Sequence, residues 1–143
     1  MRLEEYMAAL YSEVLLDHFR NPRNYGSLPS PDVTYEEFNP LCGDRIRIEL
    51  EIRDNRIAAA RFVGDGCAIS VAAASLLTEL VLDAYIDQGE VISVVGPQDL
   101  AALLLSSLKS DIKPSRMKCA MLPLDALRSC VRLYFQSGAR KNA

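Results

Sequence analysis

Three cysteines and one aspartate are the residues of this chain whose types and settings could do chemistry: Cys42, Asp44, Cys67 and Cys119. Cys42 and Asp44 lie in the stretch Phe38-Asn39-Pro40-Leu41-Cys42-Gly43-Asp44. Pro40 biases Asn39 toward an extended conformation, and Gly43 permits a bend that a side chain would resist. A thiol and a carboxylate are thereby held close together at the mouth of a strand. Cys67 follows Gly64-Asp65-Gly66 at the expected start of a helix, where unpaired amides and the helix dipole favour a thiolate. Cys119 stands behind Arg116 and Lys118, again near a helix start, in cationic surroundings that act in the same direction. Any one of these cysteines could be a small buried hydrophobe. Three beside turns or caps, one of them with a carboxylate, read as a single site.

Three thiolates and one carboxylate make a complete four-coordinate set for zinc or ferrous iron, and the same donors could hold a [2Fe–2S] cluster. Aspartate is a harder ligand than thiolate, so such a cluster would be more labile than one held by four cysteines. Twenty-five residues separate Cys42 from Cys67, and fifty-two separate Cys67 from Cys119. Those spans are too long for a zinc finger, so the fold itself must bring the donors together. Cys130 belongs elsewhere: it falls in the apolar row Ala126, Leu127, Leu133, Tyr134 and reads as core. His18, the single histidine, ends a helix beside an Asn-Pro turn and suits hydrogen bonding better than ligation. Glu79 and Asp83 read as a solvated edge.

The elements that must position these groups follow from periodicity. Met7 to Phe19 reads as one amphipathic helix closed by Pro22, and Asn21 to Gly26 is turn chemistry throughout. Val33 to Phe38 reads as a short strand. Ile46, Ile48, Leu50 and Ile52 alternate with charged residues, which gives a strand with one wet face. Asp54-Asn55 turns the chain, and Ile57 to Val63 returns as the partner of an antiparallel hairpin. Ala68 to Leu82 reads as a largely apolar helix that is buried or faces a partner. Residues 83–96 are ambiguous. Pro97 can open a helix over Gln98 to Leu108, Lys109 to Ser115 reads as a polar linker, and a last helix runs from Cys119 to about Gln136.

With 143 residues, half of them hydrophobic and 24% charged, a single domain spanning 1–143 is expected. The net charge of −3 offers no electrostatic argument for nucleic acid or an anionic membrane. No apolar run is long enough to span a bilayer. The acidic start Met1-Arg2-Leu3-Glu4-Glu5 lacks the order of a signal peptide, so a cytoplasmic location is expected. In a reducing compartment the cysteines are expected as thiols or ligands rather than disulfides.

Taken together, Leu10-Tyr11, Asp17 to Gly26 (DHFRNPRNYG), Asn39 to Asp44 (NPLCGD), Phe62 to Ser70 (FVGDGCAIS), Ser75 to Glu79 (SLLTE) and Arg116 to Pro123 (RMKCAMLP) resemble the U-type iron–sulfur cluster scaffold proteins, in the right order over nearly the whole chain. The resemblance implies an α+β fold with a small antiparallel three-stranded sheet and helices packed on one face. It implies a metal and cluster site of Cys42, Asp44, Cys67 and Cys119. Lys118 stands where the housekeeping branch carries a histidine, and no Leu-Pro-Pro-Val-Lys chaperone motif precedes Cys119. Both departures, and a modest insertion around Asp87 to Asp99, are similar to the SUF-system branch. That branch implies bound zinc, a cysteine desulfurase as sulfur donor and Cys119 as persulfide acceptor, favoured by cationic neighbours and a preceding loop that can move. The alternative implied is a scaffold that builds a transient [2Fe–2S] cluster for apo-proteins or downstream carriers. Chaperone-driven release is not expected.

Overall fold

A computed structural model describes residues 2–92 and 99–138. Five α-helices and five strands occur among them, in the order α1 (Leu3–Leu10), α2 (Glu13–Arg20), β1 (Val33–Phe38), β2 (Arg45–Arg53), β3 (Arg56–Asp65), α3 (Ala68–Leu80), β4 (Tyr85–Asp87), β5 (Glu90–Ile92), α4 (Leu100–Leu108) and α5 (Met117–Ser137). A single 3-10 turn, Pro114–Arg116, leads into α5.

The strands form one antiparallel sheet in the order β1-β2-β3-β4-β5. The α+β class is as expected, but the three-stranded sheet is not: the sheet has five strands. The two extra strands come from the ambiguous stretch 83–96, whose residues 93–96 lie outside the described residues. Each is three residues long, too short to show a period. The pair is closed by Gln88 and Gly89 at φ of 50° and 81°, the left-handed pairing that matches the twist of a hairpin. A Cβ at Gly89 would sit 3.4 Å from the Phe135 side chain, so α5 packs directly on this turn.

Ile46, Ile48, Leu50 and Ile52 of β2 point to the buried side, where α5 lies over β1 and β2 and α3 lies over β3. The opposite face is not uniformly wet. Glu49 is only 4% exposed, because residues 24–28 cross beside it. Its Oε1 accepts the Leu28 amide at 2.8 Å and its Oε2 faces Arg47 at 3.0 Å. The same segment continues the edge of β3, with Phe62 donating to the Asn24 carbonyl and Gly26 donating to the Phe62 carbonyl.

The expected helix from Met7 to Phe19 is two helices. Tyr11 is extended (φ −129°, ψ 151°), and Ser12 caps α2 by accepting the Leu15 amide. Serine as an N-cap competes well with a helix interior. Here the hydroxyl also donates to the Leu108 carbonyl at 2.6 Å, and the Ser12 amide donates to Ser110 Oγ at 2.7 Å. Tertiary bonds thus outweigh the apolar periodicity. Of the helix expected over Gln98 to Leu108, Pro97 and Gln98 lie outside the described residues and α4 begins at Leu100.

Candidate metal centre

Three connections converge at one end of the sheet. The first is the β1–β2 hairpin loop. It is closed by Asn39 donating to the Asp44 carbonyl at 2.9 Å and Gly43 donating to the Asn39 carbonyl at 2.8 Å. Asn39 Oδ1 also accepts the Leu41 amide. Gly43 adopts φ of 77°, a region that favours glycine. This loop leaves Cys42 exposed and turns Asp44 inward, where it is buried.

The second connection is Gly66-Cys67 between β3 and α3. Cys67 is the N-cap of α3 and is half-buried. One turn in, Ser70 Oγ donates to Asp44 Oδ2 at 2.7 Å and lies 3.4 Å from Cys67 Sγ. Gly66 must be small, since a Cβ there would meet Ser70 Oγ at 2.7 Å and Asp44 Cγ at 3.4 Å.

The third is the start of α5. Cys119 is its third residue and is 3% exposed. Pro123 lies within the same helix. It has no N–H for the carbonyl four residues earlier, that of Cys119, so the backbone beside the thiol lacks one helical hydrogen bond.

The ligand atoms of Cys42, Asp44 and Cys119 all lie within 4.8 Å of one another. Cys67 falls outside that tight group but borders it, its thiol 3.4 Å from the Ser70 hydroxyl that donates to Asp44. Burial pushes the Asp44 carboxyl up. Hydrogen bonds from Ser70 and from the Cys42, Cys67 and Cys119 thiols outweigh that and hold it below its ordinary value. Cys119 behaves otherwise than its cationic sequence neighbours suggest. Burial, then the nearby Cys67, Cys42 and Asp44 charges, push its thiol up to about 12, while Lys118 is exposed. The acidic groups around Cys119 thus oppose its ionisation. A cation among them would reverse this. The donor set therefore fits a thiophilic metal, and ligand spacing under 4.8 Å is close to the roughly 3.5 Å edge of a tetrahedral Zn–S/O site.

Cys130 is fully buried and its thiol points to the Ile48 carbonyl at 3.7 Å, as a core cysteine should. His18 sits away from the metal centre, with Nδ1 at 2.8 Å from Ser75 Oγ and Nε2 at 3.6 Å from Glu79. Glu79, expected as part of a solvated edge, is exposed and faces His18. Ser70 joins the candidate site without having been singled out in the sequence. Its signal was the Cys-x-x-Ser spacing at a helix start, which places a hydroxyl over the first turn.

Residues 10–141 match the family model described as NifU-like N terminal domain. The chain belongs to the NifU-like N-terminal family. Among its relatives are the iron–sulfur cluster assembly scaffold protein IscU 1 of Archaeoglobus fulgidus, 34% identical over 92% of this chain and 80% of that protein, and the zinc-dependent sulfurtransferase SufU of Bacillus subtilis, 30% identical over 92% and 95%. The fold matches the N-terminal part of a NifU-like protein from Brucella abortus with a TM-score of 0.68, at 20% identity, over 88% of this chain and 94% of that one. Relatives on both sides of the IscU–SufU divide match the NifU-like chain at similar identity, so similarity alone does not assign a branch. No described helix of this family member is long and apolar enough to cross a membrane.

Proposed function

We propose that this NifU-like chain assembles iron–sulfur clusters, taking sulfur from the persulfide of a cysteine desulfurase at Cys42, Asp44, Cys67 and Cys119. The observation that carries the reading is the convergence of Cys42, Asp44 and Cys119 within 4.8 Å, with Cys67 at their border, from three segments far apart in sequence. Zinc on these donors would keep the thiols deprotonated and guard them from oxidation.

The chain's own groups then divide the work by exposure. Cys42 is exposed on its loop and Cys119 is buried, so a partner's persulfide meets Cys42 first. The Cys42 thiolate attacks the outer sulfur, the donor's S–S bond breaks, the donor departs as a thiolate and a new S–S bond forms on Cys42. A second exchange of the same kind passes the outer sulfur to Cys119, with no net oxidation in either step. Ser70 fixes the Asp44 carboxylate, the hard donor and thus the exchangeable one. We place this chemistry in the cytoplasm, where four free cysteines persist as thiols. Apo iron–sulfur proteins or cluster carriers are the recipients, without a chaperone.

The test is single-turnover uptake of labelled sulfur from a cysteine desulfurase. Cys42→Ser is expected to abolish uptake and Cys119→Ser to leave the label on Cys42. Undiminished uptake by the double variant Cys42→Ser/Cys119→Ser would refute the assignment. A second reading, a scaffold whose cargo is a [2Fe–2S] cluster, is favoured by a carboxylate in a thiolate set. It expects Asp44→Ala to lengthen the life of a reconstituted cluster, and a shortened life would count against it.

A further inference from the structure

The break between α1 and α2 has a use that lies across the molecule. Ser12 bonds through both its amide and its hydroxyl to the segment after α4, at Ser110 Oγ and the Leu108 carbonyl. Tyr11, half-buried against the core, lines one cavity with Arg116 and helps hold its guanidinium. Two adjacent residues thus strap down the 108–116 segment, which leads directly to Cys119. Arg116 is the N-cap of α5 and is half-buried. It stands three residues before Cys119, a spacing that puts both on one face of the helix start, and the Cys67 and Cys119 thiols act to hold its guanidinium charged. It also lines a cavity of about 320 Å³ together with Tyr6, Leu10, Tyr11 and Ile69. Ile69, in the first turn of α3, follows Cys67 by two residues.

The charge count explains what such a cation is for. Three thiolates and a carboxylate carry four negative charges, and a divalent ion offsets only two. An incoming persulfide adds another anion to a site that is already negative. We propose that Arg116, braced by Tyr11, is the positioning residue that draws anionic sulfur toward the Cys67–Cys119 side of the centre. This inference rests on the sulfur-transfer reading for its role, but its charge effect stands apart from it. The Tyr11–Ser12 break accordingly positions the guanidinium and does more than interrupt a helix.

The test separates charge from structure. The full chain as purified is alkylated in parallel with anionic iodoacetate and neutral iodoacetamide, and modification of Cys67 and Cys119 is resolved by peptide mass. Both reagents need the same thiolate, so their rate ratio reports the local cation. Arg116→Gln is expected to lower the iodoacetate-to-iodoacetamide ratio about three- to tenfold, the size of a unit charge a few ångströms away in a wet site. Arg116→Lys should keep most of the ratio. Tyr11→Phe, which leaves the charge but frees it, should lower the ratio less than Arg116→Gln. Sulfur uptake from the desulfurase should fall in the same order. An unchanged ratio in Arg116→Gln overturns the proposal, as does a ratio lost equally in Arg116→Lys. If the wild-type chain takes up no sulfur, the functional reading fails while the alkylation ratio still decides the role of Arg116.

Discussion

Helix α3 buries polar side chains in two places. At its first turn, Ser70 donates to Asp44, but the surrounding donors Cys42, Cys67 and Cys119 face one another and one of them remains exposed. Roughly 8 Å further along the helix, Ser75 and Thr78 are as deeply buried, and every group there has a complementary partner. Arg23 donates its amide to Ser75 Oγ at 2.8 Å. The Ser75 hydroxyl suits His18 Nδ1 at 2.8 Å when the ring is neutral and its Nε2–H faces Glu79. Thr78 Oγ1 donates to the Ser75 carbonyl and accepts from Asn24. Buried polar groups that find complements dock a segment. Like groups that converge without complements await a ligand. The second cluster fastens the Asn-Pro turn, and the first is the candidate metal centre.

That contrast predicts opposite phenotypes along one helix. The largest effect belongs to Ser75→Ala, which orphans a buried histidine nitrogen and a backbone N–H; it should cost about 2–4 kcal/mol in urea unfolding, with metal content unchanged. Ser70→Ala should do the reverse. Its stability loss should be near 1 kcal/mol or less, while metal affinity falls about 10- to 100-fold, as when a carboxylate ligand loses its supporting hydrogen bond, read by chelator competition. Thr78→Val, which unpairs the Asn24 amide at the exposed rim, should cost about 1 kcal/mol and leave the metal untouched. If Ser75→Ala strips the metal, or Ser70→Ala unfolds the chain while sparing it, the distinction collapses.

The smallest effect is a pH dependence of the second cluster. Burial lowers His18 below its ordinary 6.5, and Arg23 acts the same way, against the opposing pull of Glu79 and Asp17. The unfolded chain therefore binds a proton more readily than the folded one. This contribution is complete above pH 6.5 and is lost as pH falls from there through the folded value. Urea midpoints measured across that range should drop on acidification, and His18→Gln should flatten the slope. An identical slope in the variant would mean the histidine is not the sensor.

What the sequence revealed follows the same division. The donors were legible because Cys42, Cys67 and Cys119 each sit beside a turn or cap, and β2 was legible because its alternation runs through nine residues. Burial was not legible: Arg116 and Lys118 suggest a cationic Cys119, yet the thiol lies at the back of the site and is pushed up to about 12. Nor were long-range bonds. The apolar period through Met7 to Phe19 hides the hold of Leu108 and Ser110 on Ser12, and a run rich in Ala and Leu hides what Ser75 and Thr78 do. The β4–β5 hairpin was not legible either, since strands of three residues carry no period.

The central claim is most directly tested by anaerobic metal and sulfide analysis of the full chain beside its single-cysteine variants. Cys130 serves as the internal control, because it is equally a free thiol but buried against the Ile48 carbonyl. The account predicts stoichiometric metal, zinc alone or iron with matching sulfide, that is lost in Cys42→Ala, Cys67→Ala and Cys119→Ala and kept in Cys130→Ala. Metal retained by the first three variants, or none in the wild-type chain, would contradict it.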